Sequence, residues 1–120
     1  SRIMDLLRFE EFRNGCNQNL PKVIDEILST GKQEEHCAIG LITTDDFYGF
    51  YITWDFGNDI DTEEYCEWTP DDISADTSFL YQPLVDIIDN CEDIDFCNPS
   101  EEKWDFRDVI LQTFARTKMA

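Results

Sequence analysis

Lysine and arginine are missing from residues 34–102, a stretch of 69 residues that contains twenty acidic side chains. All nine basic residues lie outside this stretch, and His36 is the one side chain inside it that can become a cation. Without internal counter-charges, repulsion among the carboxylates destabilises the folded state. We therefore expect a function that uses the negative charge.

Other scarcities exclude whole classes of protein. No apolar run approaches the ~18 residues of a membrane span, and residues 1–20 lack the basic start and apolar block of a signal peptide. With four prolines and five glycines among 120 residues, long linkers are not expected, and the length predicts a single domain over residues 1–120. The net charge of −18 argues against direct binding to nucleic acid or to an anionic membrane.

The cysteines do not indicate a disulfide framework. Their number, five, is odd, and no two of them have the C-x-x-C spacing. This usage is typical of a reducing compartment, so we predict a cytoplasmic protein.

Catalytic and metal-binding patterns are weak. His36 and Cys37 are neighbours on a predicted strand and point to opposite faces, so they cannot form a Cys–His pair. Oxygen ligands are dense between Asp55 and Glu64, but the EF-hand pattern is absent and Gly57 precedes most of these acids. We therefore predict no enzymatic activity, no cofactor and no metal, with an enzyme or a Ca²⁺ or Mg²⁺ site as a remaining alternative.

The acidic stretch nevertheless predicts a folded segment. It holds eleven of the sixteen aromatic residues. Disordered acidic segments lack this capacity for burial.

Two helical segments are predicted before the acidic stretch. Apolar residues at helical spacing from Leu20 to Leu28 form an amphipathic stripe with Pro21 in the first turn. Residues 4–12 predict another helix, separated from the first by an Asn-Gly break. One longer helix with a kink near Pro21 is the alternative.

The acidic stretch itself begins with a predicted antiparallel hairpin of residues 36–44 and 47–56. In its second strand Tyr48, Phe50, Ile52 and Trp54 are expected on one face, and Phe47 and Tyr51 on the other. Residues 63–68 are expected to add a third strand.

Two helices are predicted to follow. One begins at Thr77 or Ser78 with Pro83 near its start, and the other runs from Glu101 to about Lys118. This order predicts an α+β fold, in which a small antiparallel sheet packs against helices.

The densest acidic segment with loop character runs from Asp55 to Asp72. Carboxylates there can neutralise a basic partner and aromatics can anchor it. The predicted partner-binding residues are Asp55, Asp59, Asp61, Glu63, Glu64, Tyr65, Glu67, Trp68, Asp71 and Asp72.

A resemblance is carried by the run Cys37–Asp46, which ends in Thr-Asp-Asp, and by Glu67–Asp72, which reads Glu-Trp-Thr-Pro-Asp-Asp. Over residues 20–118 the chain resembles a bacterial domain family of unknown function with such a strand end and a Trp-Ser-Pro-acid motif. It departs from that pattern at Ile73, where a second Trp often stands, and at Glu67, which replaces a basic residue.

Such domains are similar to those encoded beside bacterial toxins, including the small acidic immunity proteins of contact-dependent growth inhibition systems. The resemblance implies a partner that is a basic toxin domain, expected to be a nuclease. The leading hypothesis is therefore an immunity protein, and the alternative is an acidic binding or regulatory domain.

Overall fold

The structure, a computed structural model, describes residues 7–31, 35–68 and 73–118, apart from the side chain of Cys66. Within these residues it is an α+β fold with three α-helices and a two-stranded antiparallel sheet, in agreement with the predicted fold class. The elements are α1 (Glu10–Ser29), β1 (His36–Thr43), β2 (Phe50–Gly57), a 3-10 helix (Thr62–Glu67), a second 3-10 helix (Ser78–Leu80), α2 (Gln82–Asp89) and α3 (Glu101–Arg116). None of the described helices combines the length and the apolarity that crossing a membrane requires.

Helix α1 is continuous through the predicted Asn-Gly break and through Pro21, so the alternative of one longer helix is confirmed from Glu10 onward, while the kink expected near Pro21 stays a prediction. Gly15 permits close packing, since a Cβ added there would lie 2.8 Å from Cβ of Phe79. Pro21 removes the helical partner of the Asn17 carbonyl. Asn17 is exposed, so water can bind that carbonyl. The helix predicted over residues 4–12 is wrong for residues 7–9, which precede α1, and its first residues lie outside the described part.

The hairpin is confirmed, with Leu41 opposite Ile52 and Thr43 opposite Phe50. Its second strand begins three residues later than predicted, because the chain leaves extended geometry at Phe47, where φ is 58°. In this turn the half-buried Phe47 ring packs against Phe106, with 6.4 Å between the ring centroids.

The predicted third strand is wrong. Residues 62–67 form the first 3-10 helix, and in the part of the chain that is described the sheet has two strands. Asp61 caps this helix, since its side chain accepts a hydrogen bond from the backbone N–H of Glu63 at 2.9 Å.

Aromatic rings join the sheet to the helices. The ring of Phe114 in α3 packs edge-on against Phe12 of α1 at 5.5 Å and against Phe50 of β2 at 5.2 Å. Ile52 and Trp54 continue the inner face of β2 and are buried in the same core. The helices therefore cover one face of the hairpin and leave the other for the segment that follows β2.

The return from the acidic segment is fixed to α1. The Glu26 carboxylate accepts hydrogen bonds from the backbone N–H groups of Ser74 at 2.9 Å and Ala75 at 3.0 Å, and from the Ser74 hydroxyl. The chain then forms the second 3-10 helix at Ser78–Leu80, so the α-helix predicted from Thr77 or Ser78 begins later, at Gln82, with Pro83 near its start as predicted.

Candidate protein-interaction surface

The segment after β2 folds back over the outer face of the hairpin. Strand β2 ends at Gly57, opposite His36. Eleven residues later, Trp68 lies over the middle of β1, where a Cβ added at Gly40 would be 3.7 Å from Cζ3 of its ring. The indole packs over Gly40, where even an added Cβ would meet it at ordinary van der Waals distance, and the end of the segment thus returns to the hairpin.

Beneath this ring lies Thr53, the cross-strand partner of Gly40. Thr53 is 5% exposed, and its hydroxyl has no hydrogen-bond partner. Trp68 itself is half-buried, so it packs on the sheet and also shows part of its ring to solvent. Trp68 can therefore belong to the predicted partner-binding surface and also anchor the segment on the hairpin.

We call the solvent-facing side of residues 55–68 the acidic face. Its six acidic side chains are all exposed, and Tyr65 is 40% exposed. They are Asp55, Asp59, Asp61, Glu63, Glu64 and Glu67. The other two predicted residues, Asp71 and Asp72, lie outside the described residues.

Local hydrogen bonds orient two of these carboxylates without neutralising them. Asp55 accepts from the backbone N–H of Phe56 at 2.9 Å, and Asp61 accepts from Glu63 as its cap. An ionised carboxylate has about four acceptor sites, so most of its capacity stays open. The sequence supplies no Lys or Arg within the segment, so the segment itself contains no counter-charge for these carboxylates.

The structure adds an aromatic residue that the sequence prediction of the surface omitted. Tyr51 is 56% exposed on the outer face of the hairpin, opposite Ile42 and next to the Gly40–Thr53 pair that carries Trp68. Side chains alternate between the two faces of a strand, so Tyr51 points away from the face of Phe50 and Ile52. This alternation was the sequence signal that could have identified Tyr51.

The Cys37 thiol beside the acidic face is not activated as a nucleophile. Burial, together with the negative charge of Asp55, raises the pKa of the Cys37 thiol. The thiolate is the reactive form, so this environment lowers its nucleophilicity at neutral pH. Among the described residues, no three His, Cys, Asp or Glu side chains are grouped so that they could hold a metal ion.

Comparisons with protein-family models, with curated proteins and with solved structures find no match to this chain. The family resemblance of the Cys37–Asp46 and Glu67–Asp72 motifs therefore stays a prediction.

Proposed function

We propose that the protein is a cytoplasmic bacterial immunity protein that binds a basic toxin domain, a nuclease, through the acidic face and blocks it without turnover. The observation that carries the proposal is the exposure of every acidic side chain of the described segment 55–68 on a sheet-supported surface. Exposed charge is accessible to a partner, whereas buried carboxylates would serve the fold.

The chemistry of a nuclease favours it as the partner. A protein that binds a nucleic acid neutralises backbone phosphates with lysine and arginine side chains. Closely spaced carboxylates present a similar array of negative charge to those side chains. The acidic face would therefore compete with the substrate and speed the encounter by electrostatic attraction.

The aromatic side chains supply the second part of the recognition. Tyr51, Tyr65 and Trp68 offer apolar area among the carboxylates, and tyrosine and tryptophan are enriched among residues that dominate binding energies. A purely solubilising surface has no use for partly exposed aromatic rings beside its charges. This combination favours the immunity hypothesis over an acidic domain whose charge serves solubility.

The test begins at the gene immediately upstream, where the proposal predicts a large secreted protein with a basic C-terminal domain. The purified immunity candidate is titrated into a nuclease assay of that domain, and complete inhibition is expected at one molecule per toxin. The double variant Asp59→Lys with Glu63→Lys should weaken binding by at least about tenfold, since like charges would then face each other.

The matched control is Glu10→Lys with Glu11→Lys, which changes the net charge equally. These residues begin α1, whose length places them about 30 Å along the axis from its other end, where Phe56 packs on Gly31. The control should bind almost normally. An equal loss of affinity in both variants would mean that net charge alone explains the effect. Complete inhibition at far less than one molecule per toxin would mean that the protein inactivates the toxin catalytically.

A further inference from the structure

A cleft with the opposite charge lies between α1 and α3. Its volume is about 170 Å³, and no hairpin residue lines it. The lining residues are Arg13, Asn17, Val109, Gln112, Thr113 and Arg116.

The helical repeat explains why these side chains meet. Arg13 and Asn17 are four residues apart on α1, and Val109, Thr113 and Arg116 follow one another at helical spacing on α3. The polar side chains of α1 and α3 thus line opposite sides of the cleft, and Val109 contributes an apolar part of its lining. The cleft is a product of their packing and not of a loop.

Neither arginine forms an ion pair with a described residue. In the portion of the chain that the structure describes, the ion pair found joins Arg107 to Asp108, and neither Arg13 nor Arg116 contacts a carboxylate. The chain has three times as many acidic as basic residues, 27 against 9, so partners would be easy to supply. The helix dipole explains why a cation such as Arg116 is favourable near the C-terminus of α3. It does not explain why Arg116 lines the same cleft as Arg13.

We propose that this cleft binds a phosphate monoester dianion. Each guanidinium offers several N–H donors in a planar fork that matches phosphate oxygens, and the two arginines together match the charge of a dianion. The side-chain amides of Asn17 and Gln112 add donors for the remaining oxygens. Val109 gives the organic part of the ester an apolar contact.

A carboxylate is a weaker fit to this cleft. It carries one negative charge and two oxygens, so it would leave one guanidinium unmatched. The Thr113 hydroxyl donates to the Val109 carbonyl at 2.8 Å and is not needed as a donor to the ligand. The ligand is thus recognised by two arginines and two amides.

The experiment is a titration of the full chain followed by NMR of the arginine Nε–H and the Asn and Gln side-chain amide signals. The probes are inorganic phosphate, glycerol phosphate and acetate, with chloride at matched ionic strength. Saturable shifts of the Arg13, Arg116, Asn17 and Gln112 signals are expected with both phosphates, the ester binding more tightly. The dissociation constant of acetate should be at least about tenfold higher than that of the phosphate ester.

The variant for this test is Arg13→Gln with Arg116→Gln, and the matched control is Arg8→Gln with Arg107→Gln. Each removes two positive charges from exposed or half-exposed positions, and both should keep the fold, as checked by circular dichroism. The first should abolish saturation, and the second should leave the dissociation constant within about twofold. Equal weakening in both variants, linear shifts with phosphate, or acetate binding as tightly as the ester would overturn the proposal.

Failure here is distinguishable from failure of the immunity hypothesis. The cleft variants leave the acidic face intact and should inhibit the toxin normally. The acidic-face variants should bind phosphate at least as well as the unmodified protein, because they reduce the surrounding negative charge.

Discussion

The phenolic hydroxyl of Tyr48 donates to the carboxylate of Asp89, at 2.8 Å from one oxygen and 3.0 Å from the other. This contact joins the hairpin loop to the C-terminal end of α2, across 41 residues of sequence. Nearby, the Phe47 ring lies 5.6 Å from Nζ of the buried Lys103. The loop is therefore held by two elements of the helical layer.

The first prediction concerns alkaline stability. The hydrogen bond to Asp89, with burial and nearby carboxylates as smaller causes, raises the pKa of Tyr48 above its ordinary value of 10.0. A raised pKa means that the contact stabilises the fold below pH 10.0 and is lost as the pH rises through the raised value. Tyr48→Phe should lower the urea-unfolding midpoint at neutral pH. Above pH 10.0 the midpoint of the variant should fall less steeply with pH than that of the unmodified protein.

Tyr51→Phe is the control for this measurement, since Tyr51 is exposed and lies in the sheet instead of the loop. It should reproduce the unmodified curve. A parallel decline for Tyr48→Phe and the unmodified protein would contradict the assigned cause.

The second prediction concerns acid. Hydrogen bonds from Ser74 and Ala75 lower the pKa of Glu26 below its ordinary 4.5. The lowered pKa makes the stabilisation complete above pH 4.5 and removes it as the pH falls through the lowered value. Glu26→Gln should lower the melting temperature at neutral pH, because the NH2 group of Gln would face the N–H and O–H donors that the carboxylate now accepts from. The difference in melting temperature between variant and unmodified protein should shrink in acid.

Acid also relieves repulsion among the carboxylates, so the relevant quantity is the difference between variant and unmodified protein at each pH. Glu11→Gln, at an exposed position of α1, provides the baseline. If the Glu26→Gln difference stayed constant from neutral pH to below 4.5, the carboxylate would not be the group that titrates.

The third prediction concerns the buried hydroxyl beneath Trp68. Thr53 loses its interaction with water and gains no hydrogen bond, whereas the Thr43 hydroxyl donates to the Gly49 carbonyl at 2.6 Å. Replacing Thr53 by Val keeps the shape and should stabilise the protein by about 1 kcal/mol. Thr43→Val should instead destabilise it by about 1 kcal/mol. Denaturant unfolding of the two variants measures both signs, and destabilisation by Thr53→Val would indicate a partner for that hydroxyl.

The fourth prediction concerns salt and follows from the proposed function. The Debye length falls from ~10 Å at 0.1 M salt to ~3 Å at 1 M. Association with the basic domain should slow sharply over this range, while dissociation should change less because Tyr65 and Trp68 supply apolar contact. Stopped-flow mixing separates the two rates. An association rate that is indifferent to salt would remove electrostatic attraction from the mechanism.

Local patterns in the sequence predicted the hairpin and the last helix. The alternation of Phe50, Ile52 and Trp54 identifies the inner face of β2 because strand geometry has a period of two residues. Ser100 accepts a hydrogen bond from the N–H of Lys103 at 3.0 Å and so fixes the start of α3. Such signals depend on neighbours in sequence and survive without tertiary information.

One miss depends on a contact that is distant in sequence, and another depends on a local helix cap. Gly15 is a helix breaker by local preference, but its packing on Phe79 makes the absence of a side chain an advantage. For the segment 63–68, the Asp61 cap outweighed the aromatic residues that suggested a strand. The exposure of the acids was predictable from charge, whereas the position of Trp68 over Gly40 was not.

That position gives the protein an internal optical reporter. Of the three tryptophans, Trp54 is 7% exposed and Trp104 is 39% exposed on α3, while Trp68 is half-buried at the edge of the acidic face. Indole emission responds to local polarity and to nearby charge, so a molecule that covers this surface changes the signal of Trp68 before it affects Trp54. With Phe at positions 54 and 104, the remaining fluorophore would report occupancy without any attached dye.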